Sequence, residues 1–334
     1  MIHQEGLVPL ALLTSLALSS CAALDRTGAK QLAGAGGKAT AALSREVDAR
    51  ASNLRNRQFT NDFNYAYSIM QNCQNITPVR GAIAECDVAA TAKYRLGTPV
   101  SKEIRALAGV LVLRRRAIDG LSDGYAAFAA EADYDAGADL EKALSGALAS
   151  ANDLGKALGV APISSTIFAG ITLVGGATAR EAQRIRLKRG SAALRTIGGQ
   201  LRLALQKEKE RHAEIDTLLG ELDTQTRENL LAADLIPAAP AIDNVIGIAG
   251  TPTPGDDRIA AALAAQPALK GAALVAATAQ INSEQRDALT NGIAALRALE
   301  AQHLAFEAGR KVNIGEIADA AVHITSVLDD RKGN

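Results

Sequence analysis

Tryptophan is missing from this 334-residue chain, and aromatic residues make up only 3% of it. A β-sandwich core needs aromatic and β-branched strands. Their scarcity, beside abundant alanine, therefore points to helices packed closely through small side chains. The four histidines stand in no HExxH arrangement and no CxxC pair accompanies them, so no zinc motif is present. Neither charge is in excess, because 36 Lys and Arg balance 36 Asp and Glu. That balance excludes bulk electrostatic binding of nucleic acid. No sequence feature implies a cofactor.

What the chain does have is long helical periodicity. One helix is expected from about Ala39 to Cys73, with Leu43, Val47, Leu54, Phe59, Phe63, Tyr67 and Met70 at mostly helical spacing. Phe59, Phe63 and Tyr67 share one face, which reads as a core layer or a partner surface; Tyr65 points elsewhere and is the surface candidate. A second helix from about Ser101 carries Ile104, Leu107, Val110, Leu111 and Leu113, then the triplet Arg114, Arg115 and Arg116. A third is expected over about Ala138 to Leu158. The longest, about Arg180 to Ala232, repeats Leu194, Ile197, Leu201, Leu205, His212, Ile215, Leu219 and Leu222 in steps of three and four, as a bundle or coiled-coil helix requires. Gly198 and Gly199 predict a bend within it. Near the C-terminus Asn313 and Glu316 have capping-box spacing, predicting a last helix to about Asp329 that packs Ile317, Ala321, Ile324 and Leu328.

Leu7 to Leu18 is an uncharged apolar run, too short to span a bilayer, and Leu18-Ser19-Ser20-Cys21 closes it with small residues before a cysteine. The segment resembles the signal peptide and lipobox of a bacterial lipoprotein. It departs from the usual pattern in that Met1 to Gly6 carries no Lys or Arg, and the residues also fit an N-terminal core helix ending at Cys21. The resemblance implies removal of residues 1–20 and lipidation of Cys21, so that the lipid holds the protein to a membrane. With Ala22 and Ala23 next, it implies placement in the outer membrane facing the periplasm. Gly34 to Gly37 then reads as part of a tether over residues 21–37. A phosphate-binding loop there lacks its first glycine and a preceding strand.

In the oxidising compartment so implied, Cys73 and Cys86 are an even pair. Pro78 and Gly81 lie near their midpoint, so an antiparallel helical hairpin would bring them level, and a disulfide there is worth about 3 kcal/mol. Two buried free thiols are the other reading.

Residues 157–179 carry no charge until Arg180. Ile163, Ile167, Phe168, Ile171, Leu173 and Val174 are candidates for membrane insertion, with Arg180, Arg184, Arg186, Lys188 and Arg189 behind them suited to headgroups. The layout is similar to that of helical pore-forming cytolysins. The same residues also read as a buried central helix starting at Pro162. Leu235 to Gly255, rich in Pro and Gly, reads as a boundary.

Gly120-Leu121-Ser122-Asp123-Gly124 matches G-x-S-x-G, but the nucleophile elbow needs a strand before it and none is expected. His212, His303 and His323 are the candidate bases for Ser122. Glu131, Asp133, Asp135, Asp139 and Glu141 cluster without EF-hand spacing, and read as acids near a helix start.

The expected fold is all-α: an elongated multi-helix bundle with long antiparallel helices and a disulfide-stapled hairpin. Its expected parts are a signal (1–20), a tether (21–37), a main bundle (38–235), a loop (236–256) and C-terminal helices packing on the bundle (257–334). The expected function is that of a non-catalytic, lipid-anchored envelope protein with a structural or protein-interaction role. An envelope protein is the expected partner, self-association is left open, and Arg114, Arg115, Arg116, Arg184, Arg186, Lys188, Arg189 and Tyr65 are the candidate headgroup or partner contacts. Insertion of 157–179 and a serine hydrolase at Ser122 are the alternatives.

Overall fold

The computed structural model describes residues 26–55, 99–134, 136–168, 171, 177–232 and 288–329. The lipobox, Tyr65, Cys73, Cys86, Leu173, Val174 and the 236–256 segment lie outside the described residues. Within them the protein is all-helical. Helix α1 covers residues 26–55, α2 Pro99–Asp133, α3 Gly137–Ala157, α4 Ala179–Ala232, α5 residues 288–307 and α6 Gly315–Asp329, with a 3-10 turn at Ser165–Phe168. Helix α4, at 54 residues, runs through Gly198 and Gly199 without a break in its helical assignment and has a contour of about 80 Å.

The chain divides into two compact units that cut across the helices. One comprises 1–47, 112–208 and 288–334, the other 48–111 and 209–287. The boundary therefore lies partway along α1, α2 and α4, where a sequence reading looks for it in a loop such as 236–256. Helices this long supply different turns to different cores.

In the first unit the helix register follows from pairwise approaches. Lys30 pairs with Asp133, Gly36 faces Tyr125 and Glu46 meets Arg114, so α1 and α2 are antiparallel. Gly190 faces Phe128, Gly124 faces Leu194 and Glu208 meets Arg114, so α2 and α4 are antiparallel as well. Gly120 lies against Ala147 and Gly124 against Leu144, making α3 antiparallel to α2. Between them they bury Leu32, Leu43, Ile118, Leu121, Leu140, Leu144, Leu154 and Leu187 completely. Each such side chain is worth roughly 1.5–3 kcal/mol.

Helices α3 and α4 consequently run parallel, as Gly137 against Arg186 and Gly155 against Gln200 show directly. The chain leaving α3 must return the length of that helix, about 30 Å, before α4 can begin. The segment 157–179 makes that return, which accounts for its length. The helix expected from Pro162 is corrected among the described residues, which hold irregular chain over 160–164 and a 3-10 turn at Ser165–Phe168. Gly159, at φ 77°, ends α3 with Val160 N–H donating to Gly155 C=O at 2.8 Å, the left-handed cap that glycine favours. Residues 160–164 have no regular structure, and Pro162, expected at a helix start, is exposed there. Ile163 and Ile167 are half-buried, whereas Phe168 and Ile171 are buried in the unit. No helix among the described residues is long and apolar enough to cross a membrane.

The expected tether is also corrected from Arg26 onward. Residues 26–37 are helical, and Ala29, Leu32, Ala33 and Ala35 are buried. Gly36 is there because the Tyr125 ring occupies the space a Cβ would need. Small residues that read as flexible in one dimension are here the contact surface of a closely packed helix.

Helix α5 ends like α3: Gly309 has φ 70° and Arg310 N–H donates to Ala305 C=O at 2.8 Å. Asn313 Oδ1 accepts from Gly315 N–H at 3.2 Å, an Asx turn that opens α6. Ile317, Ala321 and Ile324 then face inward, as their spacing predicts.

The described parts of the second unit are residues 48–55 of α1, 99–111 of α2 and 209–232 of α4. Ile104, Leu107 and Leu111 form its buried stripe on α2, and Leu54 is buried on α1.

Candidate functional site

The chemistry-bearing side chains of the first unit gather in a buried polar seam. At its centre is His303 on α5, with no exposed surface. Tyr125 Oη on α2 lies 3.0 Å from its Nε2, and Ser191 Oγ on α4 lies 2.8 Å from its Nδ1. Ser191 also reaches Glu307 Oε1 at 3.3 Å, and Arg195 holds that carboxylate through Nε at 3.0 Å and through a second nitrogen at 3.1 Å. The Tyr125 ring stacks on the imidazole at 5.7 Å, and Phe128 contacts both His303 and the edge of Phe306.

Proton bookkeeping orders this chain. A serine hydroxyl has one proton, and the Glu307 carboxylate can only accept it. Nδ1–H then donates to Ser191 Oγ, and Nε2 accepts from the Tyr125 hydroxyl. Burial, with the positive Arg195 as a second cause, lowers the His303 pKa to about 3 and keeps the ring neutral. Burial, with Glu300 as a second cause, pushes the Tyr125 phenol well above its ordinary value, so it remains a donor.

A serine beside a histidine and a carboxylate suggests a hydrolase, but the geometry here does a different job. The carboxylate binds the serine instead of orienting the imidazole, and the imidazole is far too weak a base at neutral pH. Ser191 is itself fully buried. The seam ties α2, α4 and α5 together.

Two further clusters correct the surface role expected for arginines. Arg114 has no exposed surface; its guanidinium meets Glu46 on α1 and donates to Glu208 on α4 at 3.1 Å. Its Nε has no acceptor among the described residues. Arg186 is likewise buried, donating to Glu131 Oε1 at 2.8 Å, while Glu131 Oε2 accepts from Ala136 N–H at 2.8 Å across the α2–α3 turn. Glu131 therefore belongs to a closed interhelix pair and not to a cation site, and no metal-binding group occurs among the described residues. The other expected contacts behave as surface residues. Arg115 binds Asp119 and Arg184 binds Glu181 on their own helices, Arg116 and Arg189 are exposed, and Lys188 is half-buried.

Ser122 lies in the middle of α2, where no strand precedes it. Gly120 and Gly124, which complete the G-x-S-x-G pattern, are small because Ala147 and Leu194 approach to 3.0 Å of where a Cβ would stand. Both ring nitrogens of His303 are occupied by other partners, and His323 is exposed on α6. The pattern is a helix-packing surface.

Tyr125, Ser191, Glu46, Glu208 and Glu307 were not singled out by motif. A signal existed for two members of the clusters. Arg114 continues the stripe of Leu107 and Leu111 into Ile118 and Leu121, and Glu208 extends Leu201 and Leu205. A charge in a core position of a helical stripe has to find a buried partner.

No family model, curated protein or solved structure matches the chain.

Proposed function

We propose that this is a lipid-anchored protein of the bacterial envelope, held in the outer membrane by Cys21, facing the periplasm and acting through its surfaces in a structural or protein-interaction role. The observation that carries the non-catalytic part is the closure of the polar seam. The one described serine–histidine pair is spent on helix-to-helix bonding, with both partners sealed from water. The anchoring part is carried by Leu18-Ser19-Ser20-Cys21. The crossover between α3 and α4 explains the apolar segment 157–179 without a pore.

The envelope setting also supports a disulfide between Cys73 and Cys86. Thiol counting on denatured, unreduced protein from the periplasmic face should find none reactive at these positions, and two would refute the bond. The anchor is tested by the intact mass of protein expressed with its own N-terminus in a bacterium. Loss of residues 1–20 and gain of acyl chains on Cys21 is the expected result, and a Cys21→Ser change should abolish both. In-cell crosslinking from a photoreactive group at Tyr65 should then trap an envelope protein, and failure to trap one from any exposed position would argue against the interaction role.

A further inference from the structure

We infer that the end of the first unit marked by Arg26, Tyr134, Arg180, Arg310 and Lys311 rests on the anchoring bilayer, with a headgroup layer containing anionic lipid as its ligand. The inference rests on the lipidation of Cys21 proposed above. Four residues lie between Cys21 and Arg26, and the five steps from one to the other reach about 17 Å when fully extended. Along α1, Glu46 lies about 30 Å beyond Arg26. The lipid therefore keeps the Arg26 end of this unit close to the membrane.

Contacts between the helices bring the residues of that end together. Arg26 Nε donates to Gln183 Oε1 at 3.0 Å, one turn from Arg180. Lys30 pairs with Asp133, next to Tyr134. Gly28 faces Phe306 and Val312, which flank Arg310 and Lys311. Their chemistry suits an interface. Tyr134 is 60% exposed, an amphipathic ring of the kind that sits at headgroup level, and Ile314, in the chain's return to α6, is 39% exposed. Of the acids at this end, Asp133 is engaged by Lys30 and Glu181 by Arg184. Arg26 is bonded to the neutral amide of Gln183. Arg180, Arg310 and Lys311 are exposed, and Asp139 is the exposed acid of the first α3 turn. Asp135 and Glu316 also stand in this part of the sequence. The lipid supplies the binding and these side chains set the orientation.

The absence of tryptophan makes the test direct. Full-length lipidated protein carrying Tyr134→Trp, Ile314→Trp or Leu203→Trp is reconstituted into phosphatidylglycerol-containing vesicles with a dansyl-headgroup lipid as energy acceptor. Leu203 is the control, exposed on α4 and about 35 Å along it from Arg180. Transfer from the Tyr134→Trp and Ile314→Trp variants should exceed that from Leu203→Trp several-fold. Adding Arg180→Glu, Arg310→Glu and Lys311→Glu should reduce the difference, while circular dichroism shows the helices intact. Equal or reversed transfer with an acylated Cys21 overturns the orientation alone; a mass lacking acyl chains overturns the anchor and the orientation together.

Discussion

Arg114 on α2 donates to Glu208 on α4 at 3.1 Å with neither side chain exposed to water. Glu46 on α1 closes the group from the other side, so three helices share one buried guanidinium. Burying these charges carries a desolvation cost, which makes the cluster a device for register as much as for stability. Arg114→Met alone strands two carboxylates and should destabilise the protein by about 3–5 kcal/mol. Arg114→Met combined with Glu46→Leu and Glu208→Leu should recover most of that loss. Urea denaturation followed by circular dichroism measures both, and a triple variant no more stable than the single one would count against the cluster as the reason.

Acid should weaken the first unit through His303. Its pKa is lowered to about 3 in the fold from an ordinary 6.5, so below pH 6.5 the unfolded chain takes up a proton that the folded chain refuses. This contribution is constant above pH 6.5. As pH falls from 6.5 toward 3 it costs up to about 1.4 kcal/mol per pH unit. Carboxylates titrate over part of the same range, so the informative quantity is the difference from a His303→Gln variant, whose stability should fall less steeply. Imidazole NMR shifts that titrate near 6.5 in the folded protein would remove the basis of this expectation.

Two glycines of α1 provide a matched pair. A Cβ at Gly34 meets nothing within 4 Å, so Gly34→Ala should stabilise the helix by about 0.5–1 kcal/mol. At Gly36 the Tyr125 ring fills the space, and Gly36→Ala should destabilise by about 1–3 kcal/mol. Thermal unfolding of the two variants reads the opposite signs. A flexible tether would leave both at wild type.

Asn152 clips the crossover to α3, donating from Nδ2 to Ile163 C=O and accepting Ile163 N–H at Oδ1, both at 2.9 Å. Asn152→Ala removes both bonds at a cost of about 1–3 kcal/mol. Limited proteolysis within 157–168 should accelerate in the variant, with the helices cut at the wild-type rate. Unchanged cleavage there would show that Phe168 and Ile171 hold the segment without the clip.

Much of the local structure was legible because helical periodicity is a local property. The expected boundaries of α3 and α4 fall within a residue or so of those observed, and Ile317, Ala321 and Ile324 face inward as their spacing requires. The clusters were less legible. An arginine triplet looks like a surface patch in the sequence, yet Arg114 and Arg116 lie on opposite sides of α2 because helical rotation separates them by about 200°. The glycines of α1 and of G-x-S-x-G had the same ambiguity, since a small side chain marks flexibility, a turn or a close approach, and only the neighbouring helix says which.

The sequence by itself determined that this chain builds long helices, where α3, α4 and α6 begin and end, and the apolar stripe of each helix it marked, because turn, cap and period are settled by residues a few positions apart; α1, expected from about Ala39, is already helical at Arg26, and α5 was not marked. Tertiary structure alone decided that α3 and α4 run parallel, that 157–179 returns the chain between them, and that Arg114, Arg186 and His303 face inward. Those outcomes depend on partners 50 to 180 residues away, such as Glu131 for Arg186 and Tyr125 for His303, and no local pattern records who the partner will be.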